Sequence, residues 1–168
     1  VQGLYGGPTL INNVETLSNV PRIVAHGAEW FRGYGTEQSP GTKVVSVSGC
    51  VRRPGNYEVE LGIPTRELIC DLAGGPPEGR EIKAFYPGGS SAPFLGPDGL
   101  KVGLGIEALA AAGTMAGSGA VMVINEDTCM VQLALRTAEF YRHESCGKCT
   151  PCREGTSWTV NTLRRIEQ

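Results

Sequence analysis

Apolar residues dominate the segment from about Thr128 to Arg142, and the polar residues within it recur at helical spacing. Three- and four-residue steps place these polar residues on one narrow stripe of a helix, with apolar side chains over the rest of its surface. The stripe consists of Gln132, Arg136, Glu139 and His143. A helix with so little polar surface is predicted to be mostly buried. A further helix is predicted to begin near Arg153, with Trp158, Thr162 and Ile166 on one face.

The middle of the chain shows the shorter period of β-strands. Strands are predicted from Lys43 to Val51 and from Tyr57 to Leu61, joined by a turn at Arg53-Pro54-Gly55-Asn56. Thr65 is a plausible N-cap for a helix that runs to Leu72, and a third strand follows at 82–86. The later segment 106–112 is predicted to be a short helix, and 120–124 a strand.

The N-terminal region predicts an extended segment that runs into short helices. Asn19 is a candidate helix cap, Pro21 suits a first helical turn, and Gly27 separates two helical pieces. A polar linker rich in Pro and Gly follows at Glu37 to Gly41. The order of these elements predicts an α+β protein.

Composition narrows the classes of function. The formal net charge of −2 over 168 residues argues against a nucleic-acid binder, and the 24 glycines indicate many turns and close backbone approaches. The uncharged stretch from Ala108 to Asn125 is long enough to suggest a membrane helix, but glycines and polar residues interrupt it. A helix, a turn and a strand fit this stretch better, so we expect no membrane insertion.

The most informative chemistry is a cysteine triplet, formed by Cys146, Cys149 and Cys152. Equal spacing by three residues allows one tight loop to present thiolates to different irons of a single 4Fe-4S cluster. Gly147 permits unusual backbone angles in such a loop, and Pro151 fixes a bend while removing an N–H group. The triplet also suits a reducing compartment, where thiols stay free to bind metal.

The main alternative for the triplet is a structural zinc site, in which His143 would be the fourth ligand. Zinc sites usually use two separated ligand pairs, and no second pair follows the triplet, so the spacing favours iron–sulfur. A bacterial ferredoxin run would have a fourth cysteine where Thr156 stands. The fourth ligand is therefore distant or absent. The remaining cysteines are Cys50, Cys70 and Cys129, each of which is explained more simply as a small apolar side chain.

Three stretches resemble one known family, and together the resemblance covers essentially the whole chain. The run E-S-C-G-K-C-T-P-C-R-E-G at 144–155 is similar to the cluster signature of the NADH-binding flavoprotein subunit of respiratory complex I. Diaphorase subunits of NAD-linked hydrogenases and formate dehydrogenases share that signature. The stretch 6–17 resembles the family segment that closes over the flavin, and 113–119 resembles its turn before the helical domain.

The resemblance implies a division into three parts. Residues 1–36 would end a Rossmann-like FMN- and NADH-binding domain, 42–92 would form a ubiquitin-like β-grasp domain, and 100–168 would begin a helical bundle that holds the cluster. The order strand, strand, helix, strand within 42–92 agrees with a β-grasp. The chain lacks the glycine-rich flavin loop and the acidic NADH site of the family, so we expect it to be the C-terminal half of the subunit, truncated at both ends.

The same resemblance implies the function. Electrons would pass from NADH through FMN to a 4Fe-4S cluster held by Cys146, Cys149 and Cys152, with the fourth cysteine beyond the end of this chain. Asn12 and Asn13 become FMN contacts by resemblance, since amides suit the ribityl and ring atoms of the flavin. The fragment alone is expected to be inactive, because the main FMN and NADH sites would lie in the missing half.

The family also implies partners and a location. The partners would be other iron–sulfur subunits of a multi-subunit NADH:quinone oxidoreductase, in the cytoplasm or on the cytoplasmic face of the inner membrane, or on the matrix side in mitochondria. A diaphorase subunit of a hydrogenase or formate dehydrogenase is the alternative. A zinc-stabilised module that binds partners is a third hypothesis, from a different class.

Weaker signals have simpler explanations. The run Gly117-Ser118-Gly119 is a fragment of a dinucleotide fingerprint, but it precedes a strand and opens no helix, which favours a plain turn. Residues 87–91 form a small glycine- and serine-rich stretch that is more simply a surface loop than an anion-binding nest. Lys148 and Arg153 flank the cysteines and would offset the cluster's negative charge, whereas Arg164 and Arg165 suggest a solvated helix face.

Overall fold

A mixed four-stranded sheet forms the centre of the computed structural model, which describes residues 2–168. Its strands lie in the order β2-β1-β4-β3. The central pair, β1 and β4, is parallel, and both outer pairs are antiparallel. The strand bounds are β1 Thr42–Gly49, β2 Gly55–Glu60, β3 Ile82–Tyr86 and β4 Ala120–Asn125. The predicted strand at 82–86 is confirmed with the same bounds, and the other three agree within two residues.

Alternation along the central strands builds the core on one side of the sheet. Val45 and Val47 of β1 are buried, and Val47 lies beside Val121 of β4 in the register of the parallel pair. Leu68 and Leu109, which come from helical segments that cover this face, are fully buried against the same cluster. Burial of these side chains is the main source of stability for this part of the molecule.

The helical segment that follows β2 differs from the prediction. It is a π-helix at Glu67–Leu72, entered through one helical turn at 65–66. Thr65 does not cap it. This side chain is fully buried, and its hydroxyl donates to the carbonyl of Val102 at 2.7 Å, tying the helix start to a distant loop. In the described part of the chain, the start of this helix has no side-chain cap hydrogen bond.

β4 lies in the same sheet as the three strands within 42–92. The boundary between 42–92 and 100–168 would place β4 with the helical part, yet this strand pairs with β1 on one side and β3 on the other. The sheet therefore continues to Asn125. Two short segments lie between β3 and β4, a 3₁₀ turn at Pro97–Lys101 and helix α3 at Ile106–Ala111. The buried Ser39 hydroxyl accepts the Ile106 N–H of α3 at 3.2 Å.

The N-terminal helix begins earlier than predicted. A 3₁₀ turn at Leu4–Gly6 is followed by α1 at Val14–His26 and α2 at Ala28–Arg32, with Gly27 between them as expected. Asn13 is the N-cap of α1, because its side-chain oxygen accepts the N–H groups of Glu15 and Thr16. Asn19 is therefore not a cap, and its amide donates to the Glu15 carbonyl inside the helix. Pro21 also lies within α1 instead of in its first turn.

Glu15 joins α1 to the sheet. Its carboxylate accepts the Val44 N–H at 2.7 Å and lies 3.1 Å from the Lys43 ammonium nitrogen. Partial burial alone would raise the pKa of Glu15, but the bonds from Val44 and Lys43 more than offset it and lower this pKa. The contact therefore favours a charged carboxylate at neutral pH.

Two long helices, α4 at Met130–Glu144 and α5 at Thr150–Glu167, pack together as a hairpin. The predicted burial of α4 is wrong, since Ala138 is its only buried residue and Phe140 is 54% exposed. Within the described residues α5 covers only one side of α4, which leaves the other apolar positions in contact with solvent. Arg164 is likewise not merely solvated, because it donates to the Glu139 carboxylate across the hairpin at 2.7 Å.

Among residues 2–168, no helix is both long enough and apolar enough to cross a lipid bilayer. The uncharged stretch 108–125 consists of the end of α3, a turn and β4, as the glycine pattern predicts.

Candidate metal centre

The cysteine triplet lies where α4 turns into α5. Cys146 is in the connecting loop, Cys149 is the N-cap of α5, and Cys152 is in the first turn of that helix. All three side chains are exposed and none forms a disulfide. The helix begins at Thr150, three residues before the predicted start at Arg153, so one of the three thiols is held by regular secondary structure.

The backbone conformations of Gly147 and Pro151 differ in how far they agree with the prediction. Gly147 has a φ of 73°, in the left-handed region that glycine adopts without a steric cost, as predicted. Pro151 is not a loop bend, since it lies in the first turn of α5. At that position a helix has no partner for the backbone N–H, so the missing donor of proline costs little.

Side-chain hydrogen bonds close the loop around Ser145. The Cys152 thiol donates to the Ser145 hydroxyl oxygen at 3.3 Å, and the Gly147 N–H donates to the same oxygen at 3.2 Å. Arg153 donates to the Gly147 carbonyl at 3.0 Å. The loop is thus fixed from both ends of the triplet, by a residue before Cys146 and a residue after Cys152.

Positively charged groups lie close to the triplet. Cys149 and Cys152 lie at the N-terminus of α5, where unpaired N–H groups carry partial positive charge. Lys148 and Arg153 add two cationic side chains to the same short stretch. Arg153 is also paired with the Glu154 carboxylate, at 3.0 Å.

A zinc ion and an iron–sulfur cluster place different demands on their ligands. Among residues 2–168, no three His, Cys, Asp or Glu side chains converge closely enough to hold one metal ion. Ligands of one zinc ion must converge on a point, whereas cluster ligands bind separate irons and lie farther apart. His143, the alternative zinc ligand, contacts the Glu144 carboxylate at 2.9 Å and belongs to α4.

The three other cysteines belong to other parts of the fold. The Cys129 thiol lies near the Glu167 carboxylate, at 3.8 Å, and therefore at the far end of the hairpin. The 15 residues of α4 separate it from Cys146, a distance of roughly 22 Å at helical rise. Cys50 follows β1, and Cys70 belongs to the π-helix. Cys129 is therefore too distant to be a fourth ligand of a cluster at the triplet.

The two asparagines predicted from the resemblance are adjacent and exposed at the start of α1. The Asn12 side-chain oxygen accepts the Asn13 N–H at 2.7 Å, and the Asn13 side-chain oxygen caps the helix. Both oxygens are therefore used locally, and the amide NH₂ groups are the donors left for a ligand. The capping role of Asn13 is a finding of the structure, since composition alone predicts only a turn at Asn12 and Asn13. A flavin contact rests on the resemblance.

The weaker glycine motifs form a turn and a loop that touch each other. The Ser118 N–H donates to the Gly88 carbonyl at 3.1 Å. A Cβ at Gly88 would lie 2.4 Å from the Met115 carbonyl oxygen, which explains why glycine stands at this close approach. The run 117–119 is thus a turn, as the sequence favours, and the loop 87–91 packs against it.

Sequence reasoning missed two features. One is the role of Ser145, for which no spacing rule exists because the contact depends on side-chain direction. The other is an open apolar cavity of about 560 Å³ between the sheet and α4, lined in part by Cys50, Arg136 and Phe140. The apolar residues on several faces of α4 are the only sequence signal for such a cleft.

Comparison with known proteins gives two matches to family regions. Residues 132–168 match the NADH-ubiquinone oxidoreductase-F iron-sulfur binding region, which includes the triplet. Residues 44–95 match the SLBB domain, which includes β1 to β3.

Relatives match almost the whole chain. The NADH-quinone oxidoreductase F subunit 2 of Rhizobium meliloti is 58% identical over 99% of this chain and 40% of its own length. The NADH-quinone oxidoreductase F subunit of Mycobacterium tuberculosis is 53% identical over 99% of this chain and 37% of its own length. The NADP-reducing hydrogenase subunit HndC of Solidesulfovibrio fructosivorans is 44% identical over 98% of this chain and 34% of its own length.

A solved structure shows the same fold. The crystal structure of NAD⁺-reducing [NiFe]-hydrogenase in the air-oxidised state aligns with a TM-score of 0.82 at 38% identity, over 99% of this chain and 28% of that chain. The chain thus spans about 40% or less of the length of the relatives it matches.

Proposed function

We propose that this chain, a homologue of NADH-quinone oxidoreductase F subunits over nearly its whole length, carries the iron–sulfur part of an electron-input subunit. In this function NADH is oxidised through FMN, and electrons leave through a 4Fe-4S cluster bound by Cys146, Cys149 and Cys152. The observation that carries the proposal is the triplet itself, which lies at the N-terminus of α5 within the matched iron-sulfur binding region.

The residues of the loop have separate tasks in this proposal. Cys146, Cys149 and Cys152 supply three thiolates, and the fourth ligand is a cysteine beyond the described residues. Lys148 and Arg153 offset the negative charge that the thiolates bring together. A bound cluster accepts one electron at a time, which complements a flavin that accepts a hydride. Arg153 also holds the loop closed through the Gly147 carbonyl.

The sheet supports a finer proposal about the fold. We propose a ubiquitin-like β-grasp for the sheet with its covering helix, extended from 42–92 to include β4. The support is the strand order β2-β1-β4-β3 with a parallel central pair and a helical segment between β2 and β3. Such a domain holds no chemistry of its own, so its role would be to position the neighbouring parts.

The N-terminal region is proposed to complete a Rossmann-like FMN- and NADH-binding domain. The support is a group of apolar side chains that are exposed to solvent, as is typical of a surface that contacts another part of a protein. Leu10, Ile11, Val14 and Val24 are each 77–79% exposed. Asn12 and Asn13 lie among these residues and are proposed to donate their amide N–H groups to the flavin. Both residues are accessible at the helix start, which suits that role.

A matched pair of variants tests the asparagines in the full-length protein. Asn13→Ser keeps an oxygen for the helix cap and removes the amide donor, whereas Asn13→Ala removes both. Loss of one hydrogen bond to FMN should weaken flavin retention roughly two- to tenfold in both variants. Titration of deflavinated protein with FMN measures the effect. Unchanged affinity in Asn13→Ser, with reduced affinity in Asn13→Ala, would assign Asn13 to the cap alone.

The partners and the final electron acceptor are proposed from the relatives. The NADH-quinone oxidoreductase relatives point to a multi-subunit NADH:quinone oxidoreductase, in which other iron–sulfur subunits would take the electrons. The location would be the cytoplasm or the cytoplasmic face of the membrane, or the matrix side in mitochondria. The second candidate is a hydrogenase diaphorase subunit, which is supported by the 44% identity to HndC and the TM-score of 0.82, although the identities to the NADH-quinone oxidoreductase relatives are higher.

Replacement of the middle ligand tests the proposed function. In the full-length protein Cys149→Ser should abolish the bound cluster, because a serine oxygen is a harder and poorer iron ligand than a thiolate. Iron, zinc and acid-labile sulfide analyses measure the loss. Oxidation of NADH with ferricyanide should persist, while electron transfer to the physiological acceptor should collapse.

Cys129→Ser is the matched control, since Cys129 is also exposed but lies at the other end of the hairpin. This variant should retain iron and sulfide at the level of the unaltered protein. Zinc without sulfide in the unaltered protein would instead support a zinc-stabilised module that binds partners.

A further inference from the structure

Ser145 occupies a specific position beside one of the three cysteines. Its hydroxyl oxygen lies 3.3 Å from the Cys152 sulfur, although the two residues are seven positions apart in sequence. The side chain is partly buried, whereas all three triplet thiols are exposed. In the described part of the chain, this is the only side-chain hydrogen bond that reaches a sulfur of the triplet.

The direction of this hydrogen bond must reverse when Cys152 binds metal. With a protonated thiol, sulfur donates and the hydroxyl oxygen accepts. A metal-bound thiolate has no proton, so only the Ser145 hydroxyl can then donate. The Gly147 N–H already donates to the same oxygen at 3.2 Å, which leaves the hydroxyl proton free to point at sulfur. The hydrogen bond that the Ser145 oxygen accepts from Gly147 also polarises the hydroxyl and strengthens the bond that it donates to sulfur.

We infer that Ser145 is a positioning residue for Cys152 that donates a hydrogen bond to its cluster-bound thiolate and raises the reduction potential of the cluster. The inference rests on the proposed function, since it requires an iron–sulfur cluster in this loop. A reduced cluster is more negative than an oxidised one, so a hydrogen bond to ligand sulfur stabilises the reduced form more. Ser145 therefore makes this cluster a better electron acceptor.

The position of Ser145 also makes it a constraint on the loop. It follows the last residue of α4, while Cys152 lies in the first turn of α5, so their contact spans the connection between the helices. The contact holds the Cys152 side chain against the loop that carries Cys146. Arg153 reinforces the same closure from the other side, through the Gly147 carbonyl.

Three variants of the full-length protein test the role of the hydroxyl. Ser145→Ala removes it, Ser145→Thr keeps it, and Thr156→Val is a matched control. The Thr156 hydroxyl donates to the Cys152 carbonyl oxygen at 2.7 Å, so this control deletes a hydroxyl near the same cysteine that does not reach sulfur. A potentiometric titration followed by electron paramagnetic resonance measures the midpoint potential of the cluster.

Ser145→Ala should shift the potential to a lower value, equivalent to a roughly two- to tenfold change in the equilibrium between the oxidised and reduced cluster. Ser145→Thr and Thr156→Val should keep the potential of the unaltered protein. An unchanged potential in Ser145→Ala, with iron and sulfide retained, would overturn the inference. A shift of equal size in Thr156→Val would also overturn it, because the effect would then not depend on contact with sulfur.

A second substitution that removes the hydroxyl keeps the test decisive if Ser145→Ala does not retain the cluster. Ser145→Gly removes the same hydroxyl and leaves the backbone free. Loss of the cluster in both Ser145→Ala and Ser145→Gly, with full iron and sulfide in Ser145→Thr, would support the positioning role. Cluster loss in Ser145→Thr as well would overturn it. Absence of a cluster from the unaltered protein would instead refute the proposed function, so the two failures are distinguishable.

Discussion

The sheet and the helical hairpin are stabilised in different ways. The sheet with its covering helices buries a continuous apolar cluster that includes Leu68, Phe85 and Leu109, each fully inaccessible to solvent. The hairpin of α4 and α5 buries only Ala138 and Val160. It is held instead by polar contacts, such as the bond between Arg164 and Glu139, and by the closed loop at the cysteines.

This difference separates the part of the molecule that carries stability from the part that carries chemistry. A large apolar cluster is insensitive to pH and to metal, whereas a hairpin with few buried side chains responds to both. Metal bound at a loop stabilises only the folded arrangement of that loop, so its binding energy adds to folding energy. We therefore expect the hairpin to open at lower free energy than the sheet when no metal is bound.

The largest expected effect on folding comes from Phe85→Ala in the 168-residue chain. Phe85 is fully buried in the centre of the sheet cluster, and removal of such a side chain costs about 3–5 kcal/mol. Urea denaturation measures the free energy of unfolding. Phe140→Ala is the control, since Phe140 is 54% exposed and its removal should cost far less. Equal losses from the two variants would remove the distinction between the regions.

Val160→Ala should weaken the hairpin alone. Val160 is the fully buried residue of α5, and two lost methyl groups correspond to about 1.5 kcal/mol. Hydrogen exchange resolved by peptide should show faster exchange in α4 and α5 and unchanged exchange in β1 and β4. Faster exchange throughout the sheet would mean that the two regions unfold as one unit, which would contradict the comparison.

The smallest effect should be the pH dependence that Glu139 gives the hairpin. The hydrogen bond from Arg164 lowers the pKa of Glu139 in the folded state. A lowered carboxyl pKa adds stability above the unfolded-state value of about 4.3, and this stability is lost as the pH falls through the folded value. The protection factors of the hairpin amides, which correct for the intrinsic pH dependence of exchange, should therefore fall on acidification. Glu139→Gln should reduce this fall, and the resulting change in protection should be smaller than the change caused by Val160→Ala. Glu144→Gln is the control.

The sequence predicts elements better than it predicts their surroundings. The strand at 82–86 has the predicted bounds because alternation and flanking turns act locally. The burial of α4 was wrong because periodicity shows which faces are apolar and not what covers them. The caps at Asn19 and Thr65 failed for a related reason, since a capping side chain has several nearby partners and only the fold decides among them.

The cluster site likewise has one feature that the sequence predicts and one that depends on the fold. The spacing of Cys146, Cys149 and Cys152 predicts a cluster loop because the covalent chain fixes how far apart the thiols can be. The contact between Ser145 and Cys152 depends on how α5 starts, and the earlier start at Thr150 brings that cysteine into the helix. A position of this kind is visible only in three dimensions.

The carboxylate of Glu15 also has a consequence for association between molecules. Parallel pairing of β1 with β4 begins at Ser46, so the N–H of Val44 lies on a part of the strand that β4 does not reach. An unpaired strand edge is a template for pairing with another chain. Because Glu15 accepts that N–H, the edge presents a charge and no free donor to a neighbouring molecule. We expect Glu15 to work against aggregation through β1, and to do so less effectively once acid has removed its charge.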